Sequence, residues 1–186
     1  MAERSKQLTT HSGFAFHVRP ARQDDEAALQ DFFRRVTPED LRFRFLSSVK
    51  EVDHQRLLAM VDVDHHQTES FVATEHEGGP IIATGMLACD PGLKVGEVAI
   101  SIRSDHKSRG ISWEMLRHIT QLAEAKGVQS LQSLESRSNQ SAIRMEQEMG
   151  FSSKPYPGDS TLVLLEKALG GQPSRSATTD RNSSET

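Results

Sequence analysis

Residues Val95–Met115 read VGEVAISIRSDHKSRGISWEM, and this stretch is the most informative about the fold because a strand, a short basic turn and a helix follow one another without a break. Val98, Ile100 and Ile102 alternate with smaller or polar residues, which is the period-two pattern of a strand with one buried face. Glu97 falls on the opposite face of that strand. The stretch therefore predicts a central strand whose end leads directly into a helix.

The turn between the strand and the helix is Lys107–Ser112, KSRGIS. It places two cations and a glycine beside a helix that begins at Ile111 and stops near Gly127, where the apolar residues no longer recur at helical spacing. The first turn of a helix presents unpaired amides and the positive end of the helix dipole, and both favour an anion. Because neither G-x-G-x-x-G nor G-x-x-x-x-G-K-[ST] occurs in the chain, this turn predicts a phosphate site outside the dinucleotide and P-loop patterns.

The same turn resembles the acyl-CoA pyrophosphate loop of the GCN5-related N-acetyltransferase (GNAT) family, which is usually written [Q/R]-x-x-G-x-[G/A]. Gly110 matches this pattern, whereas Lys107 replaces Gln or Arg and Ser112 replaces Gly or Ala. Lys107 keeps a cation at its position. The side chain of Ser112 would either hold the backbone away from the phosphate or donate a hydroxyl hydrogen bond to it.

Two further segments resemble this family. Asn139–Phe151 is similar to the helix N-x-x-A-x-x-[LM]…G-[FY] that lies beside the pantetheine arm, and Phe16–Ala21 is similar to the first strand. The resemblance covers residues 14–169 and implies an α+β fold, with a GNAT-type mixed, mostly antiparallel central sheet flanked by helices. Two polar ends lie outside this domain, and we expect a flexible segment over 1–13 and a disordered tail over 170–186.

Hydrophobic periodicity and turn residues predict the remaining elements. They indicate helices over 24–36, 37–46 and 53–61, and strands over 14–19, 70–75, 81–89, 95–103, 128–134 and 161–165. Thr37 and Pro38 stand where a cap and a first helical residue are expected.

Within the family, Thr37–Phe45 and Glu97–Asp105 resemble the acetyltransferase domain of bacterial protein lysine acetyltransferases that act on acyl-CoA synthetases. This resemblance implies an acyl-CoA-dependent N-acyltransferase that uses acetyl-CoA as cosubstrate and a protein lysine as acceptor. Two alternatives stay open, namely a small-molecule amine as acceptor and a catalytically idle copy of the fold that binds CoA as a sensor or scaffold. Pairing into a homodimer also stays open.

The resemblance assigns a general base to Glu97. An exposed ammonium group has a pKa near ~10.4, so a carboxylate that removes its proton raises the reactive fraction of the amine. The alternative is a strand glutamate that faces solvent or forms an ion pair. Backbone amides around Ile100 would polarise the thioester carbonyl, and Asn139 would steady the pantetheine or acceptor side. The residues expected to bind acetyl-CoA are Ile100, Ser101, Ile102, Lys107, Ser108, Arg109, Gly110, Ile111, Ser112 and Asn139.

The family often places a tyrosine on the last helix as an acid toward the departing thiolate, but Glu146 stands at that position. Tyr156, the only tyrosine, lies beyond the helix, where a structural role is expected. A CoA thiolate is a good leaving group and can take its proton from water or from the amine, so the resemblance does not require the tyrosine.

Composition bounds the remaining classes of function. The chain has 186 residues and a net charge of −4, which gives no electrostatic drive toward nucleic acid. A single cysteine, Cys89, rules out an internal disulfide and a multi-cysteine metal site. Asp62–His66 combines carboxylates and imidazoles, yet we expect a polar turn there and no metal. No apolar run is long enough to span a membrane, so a cytoplasmic protein is expected.

Two features near the predicted site have both a structural and a functional interpretation. His106 directly precedes the basic turn and is expected to be a solvated loop residue, although it could also bond a CoA phosphate. Arg42–Phe45 alternates arginine and phenylalanine, which favours a helix with buried rings and exposed arginines over a wall of an acceptor groove.

Overall fold

The computed structural model describes residues 5–170. Five helices and eight strands lie in this part of the chain. The helices are α1 (Glu26–Phe33), α2 (Pro38–Phe45), α3 (His54–Val61), α4 (Ile111–Ala125) and α5 (Gln140–Glu148). The strands are β1 (Lys6–Thr9), β2 (Ala15–Pro20), β3 (Thr68–Thr74), β4 (Ile81–Cys89), β5 (Val95–Ile102), β6 (Ser130–Ser136), β7 (Ser152–Pro155) and β8 (Leu162–Ala168).

All eight strands form one sheet in the order β1-β2-β3-β4-β5-β6-β8-β7. Six of the seven neighbouring pairs are antiparallel, and β5 with β6 is the parallel pair. The predicted α+β fold with a mixed, mostly antiparallel sheet is therefore confirmed. A parallel pair needs a long crossover, and α4 supplies it between β5 and β6.

The parallel pair is short, and this shapes the rest of the molecule. Only Val95–Glu97 pairs with Ser130–Gln132. Beyond that point β5 continues along β4 as far as Ile102, while β6 continues along β8 as far as Ser136. The two strands therefore diverge in the middle of the sheet, and their facing edges are left with backbone groups that no strand pairs.

Helices cover both faces of the sheet. Phe71 and Ala73 on β3 belong to an apolar cluster that contains buried residues of α4, such as Met115 and Ile119. Val72, which points the opposite way, belongs to a second cluster with buried residues of α1 and α3. This alternation along one strand shows that the sheet lies between two helical layers.

Several local predictions are confirmed. The helix after the basic turn begins at Ile111, and Gly127 follows its end with a positive φ of 79°. α2 begins after Thr37, whose side-chain oxygen accepts a hydrogen bond from the Asp40 amide at 3.1 Å, and Pro38 is its first residue. The cap and the proline together explain why a second helix starts so soon after α1.

Other predictions need correction. The segment 1–13, expected to be flexible, contains β1, because Leu8 buries its side chain in the core while the polar residues around it face outward from an edge strand. β7 was not predicted, since its four residues are all exposed. The helix predicted over 24–36 is a 3₁₀ turn followed by the shorter α1. Residues 171–186 of the expected tail lie outside the described part.

The predicted single buried face of β5 is also wrong. Val98 is buried as expected, but Ser101 and Arg103 on the other face are buried as well, and Ile100 and Ile102 are only half-buried. Helices lie on both sides of this central strand, which is why alternation is lost. Across residues 5–170, no helix combines the length and the apolar character that crossing a membrane requires.

Candidate active site

A cavity of about 450 Å³ opens where β5 and β6 diverge. Its walls are β5, β6, the turn before α4, and one side each of α2 and α5. The residues of the predicted site that line this cavity are Glu97, Ile100, Ser101, Ile102, Lys107, Ser108, Gly110, Ser112 and Asn139. The fold thus brings nine of the eleven predicted residues to one place.

The remaining two, Arg109 and Ile111, do not line the cavity. The guanidinium of Arg109 lies over the ring of Phe14, 5.2 Å from its centroid. Ile111 is buried in the core beneath α4. Their side chains contribute packing, and only the amide of Ile111, at the start of the helix, remains in a position suited to an anion.

The turn adopts a conformation that exposes its amides. Ser108 and Gly110 have positive φ angles of 61° and 85°. Gly110 caps α4, and a Cβ built on it would lie 3.3 Å from the Cβ of Thr10, so both the left-handed backbone and the close contact favour glycine. Successive amides in such turns form a concave surface that attracts anions, and α4 adds its positive end.

Lys107 is ion-paired within the protein. Its Nζ lies 2.6 Å from Oδ2 of Asp40, a residue of α2 that also lines the cavity. The predicted phosphate-binding cation is therefore held at the cavity by a carboxylate. A bound diphosphate would compete with Asp40 for this ammonium group.

His106 is not the solvated loop residue that was expected. Only 4% of the residue is exposed, and its ring lies between the carboxylates of Glu75 and Asp105. Arg103 also binds Asp105, through Nε at 2.7 Å. The Arg103 guanidinium, together with the His106 ring, holds the pKa of Asp105 well below its usual range. Arg103 and His106 are buried and the two carboxylates are partly exposed, and together these contacts anchor the segment just before the turn.

Glu97 lines the cavity from β5 with an exposed side chain. Within residues 5–170 its carboxylate forms neither a side-chain hydrogen bond nor an ion pair within 4 Å, so the alternative of an ion-paired strand residue does not apply there. A free carboxylate that faces a cavity can accept a proton from a bound group.

Arg44 corrects the interpretation of the arginine and phenylalanine run. Arg42 is exposed as expected, but Arg44 is half-buried, lines the cavity, and lies 5.1 Å from the ring centroid of Phe45. Burial lowers the pKa of this guanidinium, and the nearby charges of Glu97 and Glu135 oppose that effect. The cavity thus holds a half-buried cation whose charge interacts with those of two carboxylates.

Glu135 on β6 is fixed by hydrogen bonds. Its Oε1 accepts from Oγ of Ser133 at 3.2 Å, and its Oε2 accepts from Nδ2 of Asn139 at 2.8 Å. Burial raises the pKa of Glu135, and these two hydrogen bonds act in the opposite direction. The amide nitrogen of Asn139 is therefore engaged inside the protein, although the residue does line the cavity.

Glu146 on α5 is the most buried carboxyl group of the cavity. Only 5% of the residue is exposed, and its Oε2 has no hydrogen-bond partner. Burial, with the adjacent charge of Glu135, raises the pKa of Glu146 to about 8. Burial thus favours the protonated, uncharged form of this side chain.

Four charged residues that line the cavity lie outside the predicted site set: Asp40, Arg44, Glu135 and Glu146. All four come from segments distant in sequence from the basic turn, and no local pattern marks the first three. For Glu146 a signal existed, because it follows the buried Ile143 by three residues and so falls on the same face of α5. Trp113 is half-buried and also lines the cavity.

The cluster Asp62–His66 forms a turn. Oδ1 of Asp64 accepts hydrogen bonds from the amides of His66, Gln67 and Thr68, so this carboxylate is used to close the chain before β3. Among the residues that the structure describes, no three histidine, cysteine, aspartate or glutamate side chains are grouped as a metal ion would need.

Comparison with known proteins gives a consistent result. The model of the acetyltransferase (GNAT) family matches residues 28–151. An acetyltransferase of Pseudomonas aeruginosa is 30% identical over 156 residues, which cover 82% of this chain and 83% of that protein.

Solved structures share the fold at lower identity. The GNAT domain of PAT from S. lividans superimposes with a TM-score of 0.81 at 23% identity, over 89% of this chain and 97% of that domain. The ribosomal-protein-S5-alanine acetyltransferase of Vibrio fischeri gives 0.67 at 18% identity, over 89% and 97% of the two chains. A cAMP-binding acyltransferase from Mycobacterium smegmatis gives 0.63 at 21%, over 90% of this chain and 48% of that one.

Proposed function

This chain belongs to the GNAT family of acetyltransferases, and we propose that it transfers the acetyl group of acetyl-CoA to a primary amine, with a protein lysine as the acceptor. One observation carries the proposal: a free carboxylate, an unpaired strand edge and an anion-binding turn meet in a single cavity. These are the three parts that acyl transfer to an amine needs, namely a base, a binding surface and an anchor for the donor.

The turn Lys107–Ser112 would hold the diphosphate of the donor. The backbone amides at the start of α4 would donate hydrogen bonds to it, and Lys107 would exchange its ion pair with Asp40 for a phosphate oxygen. The hydroxyl of Ser112, which lines the cavity, would donate a further hydrogen bond. Anchoring at this end would lay the pantetheine arm along β5.

The free edge of β5 would bind the arm and the thioester. Residues 98–102 run beyond the three-residue ladder with β6, so their edge groups are available for hydrogen bonds. An amide near Ile100 would donate to the thioester oxygen and stabilise the negative charge that develops there during attack. Ile100 and Ile102, both half-buried, would exclude water from the acetyl group.

Glu97 would act as the general base. The ammonium form of the acceptor would lose one proton to water before attack, and the Glu97 carboxylate would take the second proton as the neutral nitrogen bonds to the thioester carbon. The CoA thiolate would leave with the electron pair of the carbon–sulfur bond. The charge of Arg44 opposes the burial that raises the pKa of Glu135, and the carboxyl groups of the cavity would attract a cationic acceptor. An ammonium group is the form in which most amines arrive at neutral pH.

A lysine side chain suits the mouth of the cavity. Phe43 and Leu46 line it with apolar surface, and Leu46 is 38% exposed, so an aliphatic chain can pack there while its nitrogen reaches the carboxylates. The likeness of the fold to the GNAT domain of PAT and the resemblance of Thr37–Phe45 to lysine acetyltransferases support the same acceptor.

The two alternatives predict different results. A small amine would bind in the same cavity without contacting the apolar residues at its mouth. An idle copy that only binds CoA would not need a carboxylate in the cavity that is free of ion pairs, as that of Glu97 is. The cytoplasmic location and the homodimer considered from the sequence stay predictions.

The experiment is a transfer assay with isotopically labelled acetyl-CoA. A set of lysine peptides and a set of small amines are offered at equal concentration, and products are identified by mass spectrometry. We expect label on the lysine Nζ of at least one peptide at rates well above the small amines. Label on small amines alone would contradict the lysine acceptor, and calorimetric binding of CoA with no labelled product would contradict the enzyme.

A further inference from the structure

The cavity contains two basic side chains, Arg44 and Lys107, whose charges are satisfied differently. Lys107 is ion-paired with Asp40. Within residues 5–170 Arg44 forms no ion pair within 4 Å, and its guanidinium makes one contact of hydrogen-bond type, from Nη2 to the sulfur of Met86 at 3.4 Å. A guanidinium has five N–H donors, and a thioether sulfur is a weak acceptor. In the described chain, most donors of this half-buried cation therefore have no protein partner.

The contact with Met86 shows on which face of the sheet the guanidinium lies. Met86 of β4 is paired with Ala99 of β5, and the side chains of paired residues lie on the same face. Residues two apart along a strand also share a face, so Glu97 and Ser101 flank Ala99 on that side. Met86 packs against the apolar cluster that contains residues of α1, α2 and α3. Arg44 therefore lies on the face of β5 that carries the proposed base.

Ser101 supplies a second observation on this face. The residue lines the cavity and is 5% exposed, and its Oγ has no hydrogen-bond partner within residues 5–170. Buried polar atoms are almost always paired in folded proteins. A hydroxyl can donate a hydrogen bond to an anion, as a guanidinium can. The two groups together favour an anionic group of a bound molecule.

The carboxylate of Glu97 restricts what this molecule can be. It shares the face of β5 with Ser101 and would repel a simple anion. A substrate that carries an amine as well as a carboxylate would meet opposite charges at both places, because its cation would face Glu97 and its anion would face Arg44. The charge pattern of the cavity therefore favours an acceptor that bears both groups.

We propose that Arg44 determines acceptor specificity by binding a carboxylate that lies close to the reacting lysine amine. This inference rests on the proposed acetyl transfer to lysine. A guanidinium binds a carboxylate through two parallel N–H···O hydrogen bonds, and the hydroxyl of Ser101 would donate a third. The carboxylate has two possible sources in a lysine acceptor. It is the side chain of an adjacent acidic residue, or the terminal carboxylate of a lysine that ends its chain.

The placement of Arg44 favours the acceptor over the acyl group as the source of this carboxylate. The thioester would lie along the free edge of β5 near Ile100, whose side chain packs against the apolar cluster on the α4 side of the sheet. Glu97, which would receive the amine, shares the opposite face with Arg44. A carboxylate bound to Arg44 would thus lie on the side from which the amine attacks.

The test compares acceptor peptides that differ only in the carboxylate. In one pair, lysine is followed by aspartate or by asparagine. In the other pair, lysine is the last residue and its terminal carboxyl group is free or amidated. For the wild type at saturating acetyl-CoA, we expect kcat/KM to be roughly 10- to 10²-fold higher for the acidic member of at least one pair, mainly through a lower KM. The pair that shows the preference identifies the source of the carboxylate.

Variants of Arg44 should change this preference in a graded way. Arg44→Gln should bring the two rates of a pair to within about twofold of each other, while Arg44→Lys should retain part of the preference because it keeps the charge without the planar fork. Ser101→Ala should reduce the preference a few-fold. Arg42→Gln is the matched control, since Arg42 is an exposed residue of the same helix that pairs with Glu39, and it should keep the wild-type preference. Each ratio is measured on one preparation, so any loss of folded protein cancels.

Three results would overturn the proposal. The first is a wild type that shows no preference in either pair, and the second is a preference that Arg44→Gln leaves unchanged, even if all rates fall. The third concerns the donor: faster transfer from succinyl-CoA than from acetyl-CoA, lost in Arg44→Gln, would place the carboxylate on the acyl group. Failure of the proposed function looks different, because the wild type then acetylates no peptide of either pair, and the inference falls with it.

Discussion

The two walls of the cavity differ in how they are built. On one side, β5 and the turn Lys107–Ser112 offer backbone groups and the exposed carboxylate of Glu97. On the other side, β6 and α5 offer the half-buried Glu135 and the buried Glu146, and burial raises the pKa of Glu146 to about 8. The two walls therefore present carboxyl groups of different exposure, and burial favours the protonated form of the less exposed one.

Removing the proton acceptor from the first wall should have the largest effect. We expect Glu97→Gln to lower kcat by roughly 10²- to 10⁴-fold, because the amide cannot take the proton of the amine. The dissociation constant of CoA, measured by calorimetry, should not change. Glu124→Gln, an exposed residue of α4, serves as the control. An unchanged rate in Glu97→Gln would remove this residue from the mechanism.

The next comparison, within the first wall, is between Ile111 and Arg109, the two residues of the motif whose side chains pack against the protein. Ile111→Ala should lower the free energy of unfolding by roughly 2–5 kcal/mol, since it empties part of the core, whereas Arg109→Ala should cost little stability. Neither should weaken CoA binding by folded protein. Chemical denaturation and calorimetry measure the two quantities. A tenfold weaker affinity in Arg109→Ala at unchanged stability would mean that this guanidinium binds the phosphate.

On the second wall, the protonation of Glu146 should appear in stability. Its pKa rises from an ordinary 4.5 to about 8 on folding, so the folded state binds the proton more tightly. The contribution is complete below pH 4.5 and is lost as the pH rises through about 8. Relative to Glu146→Gln, the wild type should therefore lose roughly 1 kcal/mol or more between pH 5 and pH 9. Denaturation curves at both pH values test this, and a constant difference would mean that Glu146 is ionised throughout.

Breaking the ion pair between Asp40 of α2 and Lys107 of the turn should have the smallest effect. Asp40→Asn frees Lys107 for the phosphate and should tighten CoA binding a few-fold, while Lys107→Ala should weaken it by a similar factor, as expected for a partly exposed pair worth roughly 0.2–1 kcal/mol. Both changes should shrink at high salt. Weaker binding in Asp40→Asn would show that Asp40 positions Lys107 and does not compete for it.

The first wall could be predicted from sequence because its chemistry is local. A strand, a glycine with a positive φ and a helix start are adjacent in the chain, so their pattern marks Glu97 and the turn together. The motif does not say which side chains point into the core, and the structure shows that the side chain of Ile111 does.

The second wall could not be predicted in this way. Arg44, Glu135 and Glu146 come from three different elements and meet only because β5 and β6 diverge. Protonation of Glu146 depends on its burial beside Glu135, which is a property of packing. His106 illustrates the same limit, because Glu75, whose carboxylate contacts its Nε2, lies 31 residues away in the chain.

A crystal structure of the protein with bound CoA tests the arrangement of both walls at once. We predict the diphosphate on the amides of residues 110–113, the arm along β5, and the thioester beside Ile100 and Glu97. A diphosphate bound elsewhere, for example in the shallow basic cleft beside Arg137 and Lys154, would contradict this arrangement. So would an arm that leaves the space between β5 and β6 empty.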